Sequence, residues 1–210
     1  MPLPPQAKIK TQALRAQDQE PGAALLARAF ESNPLNLAAI QSADAARRRR
    51  CNLEGMRCLL PVAKVHGLVL TASLEGRLAG VLVAAPPFGY PLPPAPLLPR
   101  MRALLRQGLG VARRWREAFE RLDARHPTAP HWYLGTLGVD PSLQGRGVGT
   151  ALAQSWLARV DHDGAAAYLE TDRAENLAFY ARLGFRPVAS FSVLGAPVTA
   201  MERAPCAEVR

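Results

Sequence analysis

Residues 131 to 170 restrict the fold of this chain more than any other stretch. HWYLGTLGVD, at 131–140, is dense in aromatic and aliphatic residues and closes on Asp140-Pro141, which reads as a strand running into a turn. Val148, Leu152, Trp156 and Val160 then recur at every fourth position, one apolar stripe of a helix that Gly164 brings to an end. AAAYLE, at 165–170, is a second strand. Strand, loop, helix and strand in that order form a βαβ crossover, which demands parallel strands and lays the helix on one face of their sheet.

Within that unit, LQGRGVGT puts Gly145, Gly147 and Gly149 where the helix opens. Glycine is worse than alanine by about 1 kcal/mol in a helix interior, so three of them need a reason. A strand feeding a glycine-rich turn and then a helix gathers unpaired N–H groups at the positive end of the helix dipole. That is an anion site, most naturally for phosphate, and glycine lets the oxygens lie against the backbone. Arg146 adds charge beside it. A P-loop requires Gly-Lys-Ser/Thr, and no lysine follows Lys64. A dinucleotide fingerprint fails as well: Asp140 to Gln144 separate the strand from the first glycine, the third glycine comes one place early, and too little chain follows for the rest of that sheet.

Gln144, Gly147 and Gly149 fit Q-x-x-G-x-G, and the loop resembles the pyrophosphate loop of the GNAT superfamily of acyl-CoA-dependent N-acyltransferases. Four further features fall in that family's order: the strand LGTLGV, the linker DPSLQ, the strand YLET, and the helix ENLAFYARLGF. LETDRAENLAFYARLGF looks most like the puromycin-acetyltransferase type of small-molecule enzyme. The resemblance is strong over residues 131–190, plausible for the hairpin at 67–85, and only an outline for the N-terminal helices.

The resemblance implies an α/β (α+β) fold: a mixed central sheet of about six to seven strands, splayed between the fourth and fifth and flanked by helices. It implies one domain over 1–210, with 8–130 on the acceptor side and 131–205 binding acetyl-CoA. Backbone groups of Leu137, Gly138 and Val139 would pair with the pantetheine arm as an added strand would. Gln144, Gly145, Arg146, Gly147, Val148, Gly149 and Thr150 would receive the pyrophosphate, and Asn176 would contact the cofactor. Tyr180, four residues on and therefore on the same helix face, would stand near the thioester sulfur. A phenol with a pKa of about 10 is protonated at neutral pH and can act as general acid to the thiolate. For the proton of the acceptor amine, Glu170 is the first choice among His131, Glu170 and Asp172, either as base or as binder of the ammonium. The family transfers its acyl group directly, so no cysteine nucleophile is required.

The rest of the chain reads more coarsely. A strand is expected at 8–14, a helix ending before Pro34, and a second from about Ala38 to Leu60 interrupted by RRRR at 47–50. Glu75-Gly76 marks a hairpin in GLVLTASLEGRLAGVLVAA, a Pro-rich loop follows, and residues 101–123 carry one amphipathic helix that Gly108 and Gly110 can kink. Asp172 is a candidate N-cap for the ENLAFYARLGF helix, and a closing strand pair turns at Gly195-Ala196-Pro197.

The net charge of +9 is almost all arginine. An Ala- and Arg-rich, Lys-poor chain is read as genome composition, with an anionic partner, a polyphosphate cofactor as readily as DNA, as the alternative. The arginines of 101–123 and RRRR are read as solvated faces, with no nucleic-acid partner and no membrane attachment expected, although RRRR keeps the nucleic-acid alternative open. Cys51, Cys58 and Cys206 are odd in number and lack CxxC spacing, so neither a disulfide framework nor a zinc site is suggested, and no metal is expected. With no signal-peptide core and no 18-residue apolar run, a cytoplasmic monomer or homodimer is expected. The expected partner is a small-molecule amine. A protein N-terminus or lysine as acceptor, and a catalytically silent acyl-CoA sensor, are the alternatives.

Overall fold

The computed structural model describes residues 9 to 206. Seven strands form one sheet: β1 (Ile9–Ala13), β2 (Leu68–Leu74), β3 (Arg77–Ala85), β4 (His131–Val139), β5 (Ala166–Thr171), β6 (Arg186–Val193) and β7 (Ala196–Arg203). Their spatial order is β1-β2-β3-β4-β5-β7-β6. Every pairing is antiparallel except β4 with β5. Lys8, where the first strand was expected to open, lies outside the described residues.

The β4–β5 pair sets up everything that follows. Its register runs from His131 opposite Ala166 to Leu134 opposite Leu169 and stops there, while β4 continues to Val139. On its other edge β4 stays paired with β3 as far as Val139, with a bulge that skips Gly135. The strands therefore part just after Leu134, leaving β4 backbone from Gly135 onward without a β5 neighbour. This is the splay expected between the fourth and fifth strands.

Helix α6 (Val148–His162) covers one face, where Leu134, Leu152, Trp156, Leu169 and Phe185 share a core. Helix α1 (Gln19–Ala29) and helix α3 (Ala45–His66) cover the other through Leu25, Leu26, Leu60, Val69 and Val81. The even-numbered residues of β4 near its start face α6, so Tyr133, and with it Tyr168 and Glu170 on β5, face the opposite side. Helix α2 (Pro34–Ile40), α4 (Leu97–Gln107) and α5 (Leu109–Asp123) complete that side, and α7 (Glu175–Arg182) links β5 to β6.

Several local expectations need correction. The stretch read as one helix from Ala38 is two, because Gln41 takes a left-handed backbone (φ 52) and Asp44 caps a new start by accepting from Ala46 N. RRRR lies in the first turns of α3 and does not interrupt it. Arg48 donates to the carbonyls of Glu31, Ser42 and Ala43, Arg49 pairs with Glu31, and Arg50 with Asp44. Arginines that tie off two helix ends satisfy orphan carbonyls. Gly108 (φ 87) separates α4 from α5, so 101–123 is two helices; Val111 and Leu122 are buried, but Met101, Leu105 and Phe119 are exposed. The last hairpin turns at Leu194-Gly195, both with positive φ, and Pro197 sits within β7 opposite Ser192. Among the described residues no helix is long and apolar enough to cross a membrane.

Candidate functional site

The donor side is built from local sequence. Asp140 ends β4, and its carboxylate accepts from Ser142 N and Oγ and from Arg28 Nη2 at 2.7 Å, fastening the turn to α1. Burial alone would raise this carboxyl, but the hydrogen bonds from Arg28 and Ser142 outweigh it and hold it below its ordinary value. Gln144 Nε2 donates to Val139 O at 3.4 Å, and buried Leu143 anchors the loop in the core. Helix α6 then starts at Val148 with Gly147 as its N-cap residue, so the first N–H groups of α6 have no intrahelical acceptor.

The three glycines have different reasons. Gly145 (φ 74) and Gly147 (φ 83) adopt left-handed backbone that other residues avoid. Gly149 has neither a positive φ nor a crowded site: a Cβ there would meet Val139 at 3.5 Å and Phe179 at 3.8 Å, ordinary contacts. No intramolecular constraint asks for glycine at 149. Gly138 does have one, since a Cβ would come within 2.5 Å of Leu26 Cδ2 on α1. Val148 is buried, so only its backbone can reach a ligand, and Thr150 is exposed. Arg146 turns to Glu75 of the β2–β3 turn at 3.1 Å. The β4 edge at Leu137, Gly138 and Val139 that has no β5 neighbour, the open glycine position and the α6 N-terminus fit an extended amide-bearing arm ending in a pyrophosphate.

Asn176 and Tyr180 lie on α7. Asn176 Nδ2 donates to Thr171 Oγ1 at 3.2 Å, which ties the start of α7 to the end of β5. Tyr180 is buried in the α6-side core, with its ring against Phe179 and Phe185. Burial, reinforced by the Asp172 charge, pushes its phenol well above the usual range and keeps the proton on oxygen.

Across the sheet, Glu170 is the residue that tertiary structure makes unusual. Its carboxylate is 6% exposed, and neither oxygen has a hydrogen-bond partner among the described residues. Burying an ionised carboxylate without partners is costly, so the position calls for a cation or a proton. Around it stand Tyr133, Tyr168 and His126, whose Nδ1 is 3.9 Å from Glu170 Oε1. Tyr168 Oη and His126 Nδ1 are likewise buried and unpartnered. Burial first, the Glu170 charge next, and the approach of each hydroxyl to the Glu170 carboxylate hold Tyr133 and Tyr168 far above ordinary phenols, although neither hydroxyl reaches Glu170 in full hydrogen-bond geometry. Tyr90 stacks on His126 with ring centroids 3.9 Å apart and donates its hydroxyl to Asp123. A cleft of about 320 Å³ opens beside Tyr168, floored by Ala200 and Glu202 and walled by Phe191 and Arg125. Ala200 is the β7 partner of Glu170, so cleft and carboxylate adjoin on one face.

The other two candidates for the proton fall differently. His131 joins the cluster: its Nε2 is 3.0 Å from His126 Nε2 and its Nδ1 is 2.7 Å from Ala129 O. Asp172 does not cap α7. Its carboxylate accepts from Leu35 N and Asn33 Nδ2 and so caps α2 from a distant strand end, because the sheet brings the two together. His126, which follows α5, had no sequence signal. Tyr90 lies in the Pro-rich loop that, with Phe88, is expected from the sequence to help read the acceptor, but no spacing relates His126 or Tyr90 to Glu170.

The family model for acetyltransferases of the GNAT family matches residues 39–185. A Corynebacterium glutamicum structure described as histone acetyltransferase HPA2 and related acetyltransferase is similar, at 26% identity, TM-score 0.70, and coverage of 96% of this chain and 99% of that one. The polyamine N-acetyltransferase of Drosophila melanogaster, which forms N-acetylagmatine, superposes at TM-score 0.64 with 15% identity, covering 94% and 100%. PaiA N-acetyltransferase of Thermoplasma acidophilum, solved with coenzyme A, does so at 0.58 with 14% identity, covering 94% and 99%.

Proposed function

Because the chain belongs to the GNAT acetyltransferase family, we propose that it transfers an acetyl group from acetyl-CoA to the primary amine of a small molecule. The carrying observation is the buried, unpartnered Glu170 carboxylate at the point where β4 and β5 part.

The bound thioester supplies an activated acetyl group. Leu137, Gly138 and Val139 hold its arm through backbone groups, and the loop from Gln144 through Gly145, Arg146, Gly147, Val148 and Gly149 to Thr150, with Asn176, holds its distal end. Tyr180 belongs to the α6-side core and Glu170 to the other face, so acid and ammonium site approach the slot from opposite sides. Glu170 attracts the acceptor ammonium into the tyrosine-walled recess, and the cleft beside Tyr168 takes the rest of the acceptor. Once the ammonium has lost a proton, its nitrogen can bond to the acetyl carbon as the carbon–sulfur bond breaks. Tyr180 Oη gives its proton to the departing sulfur, the acylated nitrogen sheds its second proton to solvent, and the Tyr180 oxygen is reprotonated from solvent, so that one proton is released in all.

A cleft of about 320 Å³ suits a small molecule better than a folded protein surface. The similarity to agmatine and polyamine enzymes and the LETDRAENLAFYARLGF likeness to puromycin acetyltransferases both favour such acceptors. The test is acetyl-CoA consumption, read by thiol release, across polyamines, agmatine, arylalkylamines, puromycin-type aminonucleosides and peptides with free N-termini or lysines. Turnover of a small amine whose KM rises at least tenfold in Glu170→Gln supports the reading. Turnover of peptides alone would transfer it to the protein-acetylating class, and tight CoA binding without turnover would leave a sensor.

A further inference from the structure

We propose that His126 takes the acceptor's proton: the incoming ammonium is held between the Glu170 carboxylate and His126 Nδ1, and His131 fixes the tautomer that makes Nδ1 a base. This rests on the acetyl-transfer reading above, and it replaces Glu170 as the final resting place of the proton.

The hydrogen-bond inventory drives the assignment. Ala129 O can only accept, so His131 Nδ1, 2.7 Å away, carries a hydrogen. Burial, offset only in part by that bond, holds His131 below the usual imidazole range, so it is neutral at pH 7 and its Nε2 is a lone pair. The 3.0 Å contact between the two Nε2 atoms then needs the hydrogen on His126. A neutral His126 is left with a bare Nδ1, and that lone pair faces Glu170 Oε1 at 3.9 Å. Three buried acceptors, Nδ1 and the two carboxylate oxygens, converge; the Tyr133 and Tyr168 hydroxyls are the neutral donors near Glu170, and neither reaches Nδ1.

One positive charge resolves this. It can be a proton on His126 Nδ1, giving an imidazolium paired with Glu170, or the ammonium of an acceptor, which brings three donors. The surroundings suit either cation. Tyr90 lies flat on the His126 ring at 3.9 Å, and the Tyr133 and Tyr168 rings stand at 4.8 and 5.2 Å, within the cation–π range. The charged and titratable groups facing His126 are Tyr90 from its loop, His131 and Tyr133 from β4, and Tyr168 and Glu170 from β5. Asp123 at the end of α5 is engaged by Tyr90, and Glu202 on β7 acts on His131. Imidazolium and ammonium together would set two cations against one buried carboxylate, so they exclude each other.

Acceptor binding therefore displaces the His126 proton to solvent. In the reaction an N–H bond of the ammonium breaks, its electron pair stays on nitrogen, and the proton bonds to His126 Nδ1. The imidazolium pairs with Glu170 until the next ammonium expels that proton, so each turnover releases one.

Two measurements decide this. Nitrogen NMR of histidine-labelled protein, with no ligand, should show the neutral form of His126 carrying its hydrogen on Nε2 and a bare Nδ1. A neutral His126 carrying its hydrogen on Nδ1 overturns the proposal even if the enzyme acetylates amines. In kinetics with the panel amine that turns over fastest, KM should rise on an acid limb while kcat stays level. His126→Gln should lose that limb and roughly 10²-fold or more in kcat. Persistence of the limb in His126→Gln is also fatal. If no amine turns over, the acetyl-transfer reading fails, and the NMR result still judges the proton site on its own.

Discussion

Replacing Gly149 with alanine should stabilise the protein and cripple its acetyl-CoA site at once. Gly149 is the second residue of α6, with no left-handed φ, and a Cβ there meets nothing nearer than Val139 at 3.5 Å. Alanine in a helix gains up to about 1 kcal/mol over glycine, through backbone entropy lost on folding, with less expected in the first turn. For a chain of this size that is a rise in Tm of about 1–3 °C. On the proposed reading, the same methyl stands where the pyrophosphate approaches the N–H groups of α6 that have no intrahelical acceptor. Losing one charge-assisted hydrogen bond there costs about 1.5–3 kcal/mol, or roughly 10- to 150-fold in Kd. Thermal unfolding of the free protein and calorimetric titration with CoA read the two effects separately. A variant that is more stable and binds CoA as the parent does would refute the reasoning, because Gly149 would then have no ligand beside it. A large loss of stability would refute it from the other side, showing a packing constraint that the 3.5 Å contact does not contain. Gly138→Ala offers the contrast: its Cβ would overlap Leu26, and overpacking of that kind costs about 1–3 kcal/mol.

Tyr180→Phe should lower kcat roughly 10²-fold while leaving the Kd for acetyl-CoA unchanged, as measured by steady-state kinetics beside calorimetry; equal turnover would remove Tyr180 from the chemistry. Because burial raises this phenol, the parent's kcat should show no alkaline loss at the ordinary phenol pKa of about 10. Asp140→Asn tests the clasp between the loop and α1. The folded-state pKa of Asp140 lies below its ordinary 3.8, so its stabilising contribution is complete above that pH and fades as pH falls through the folded value. Urea midpoints of parent and variant should therefore differ by a constant amount at neutral pH and converge below about pH 4; a gap that persists in acid would mean the carboxylate charge is not what holds the clasp.

The donor side of this protein was legible in the chain because its parts are neighbours in sequence. A strand end, a turn, glycines and a helix start lie between Val139 and Thr150, and phosphate recognition by a helix N-terminus needs little more. Even the parting of β4 from β5 follows from that unit, since the chain after each strand departs in its own direction. Some assignments nearby still went astray. Asp172 reads as the cap of the helix three residues on, yet the sheet carries it to α2, and RRRR reads as an interruption although it lies inside α3, with Arg48 donating to carbonyls of the segments before it.

The acceptor side could not be read this way. Glu170 was visible only as a carboxylate at a strand end. The proposal that it binds a cation rests on the company of Tyr90 from the Pro-rich loop, His126 from the turn after α5, and Tyr133 and Tyr168 brought side by side by the β4–β5 register. Sequence alone determined the fold family, and the donor site proposed from it needs only the backbone amides that a short local motif displays. Tertiary structure decided where a proton can rest, because burial and mutual distance set the energy of a charge, and both come from segments that meet only when the sheet is complete.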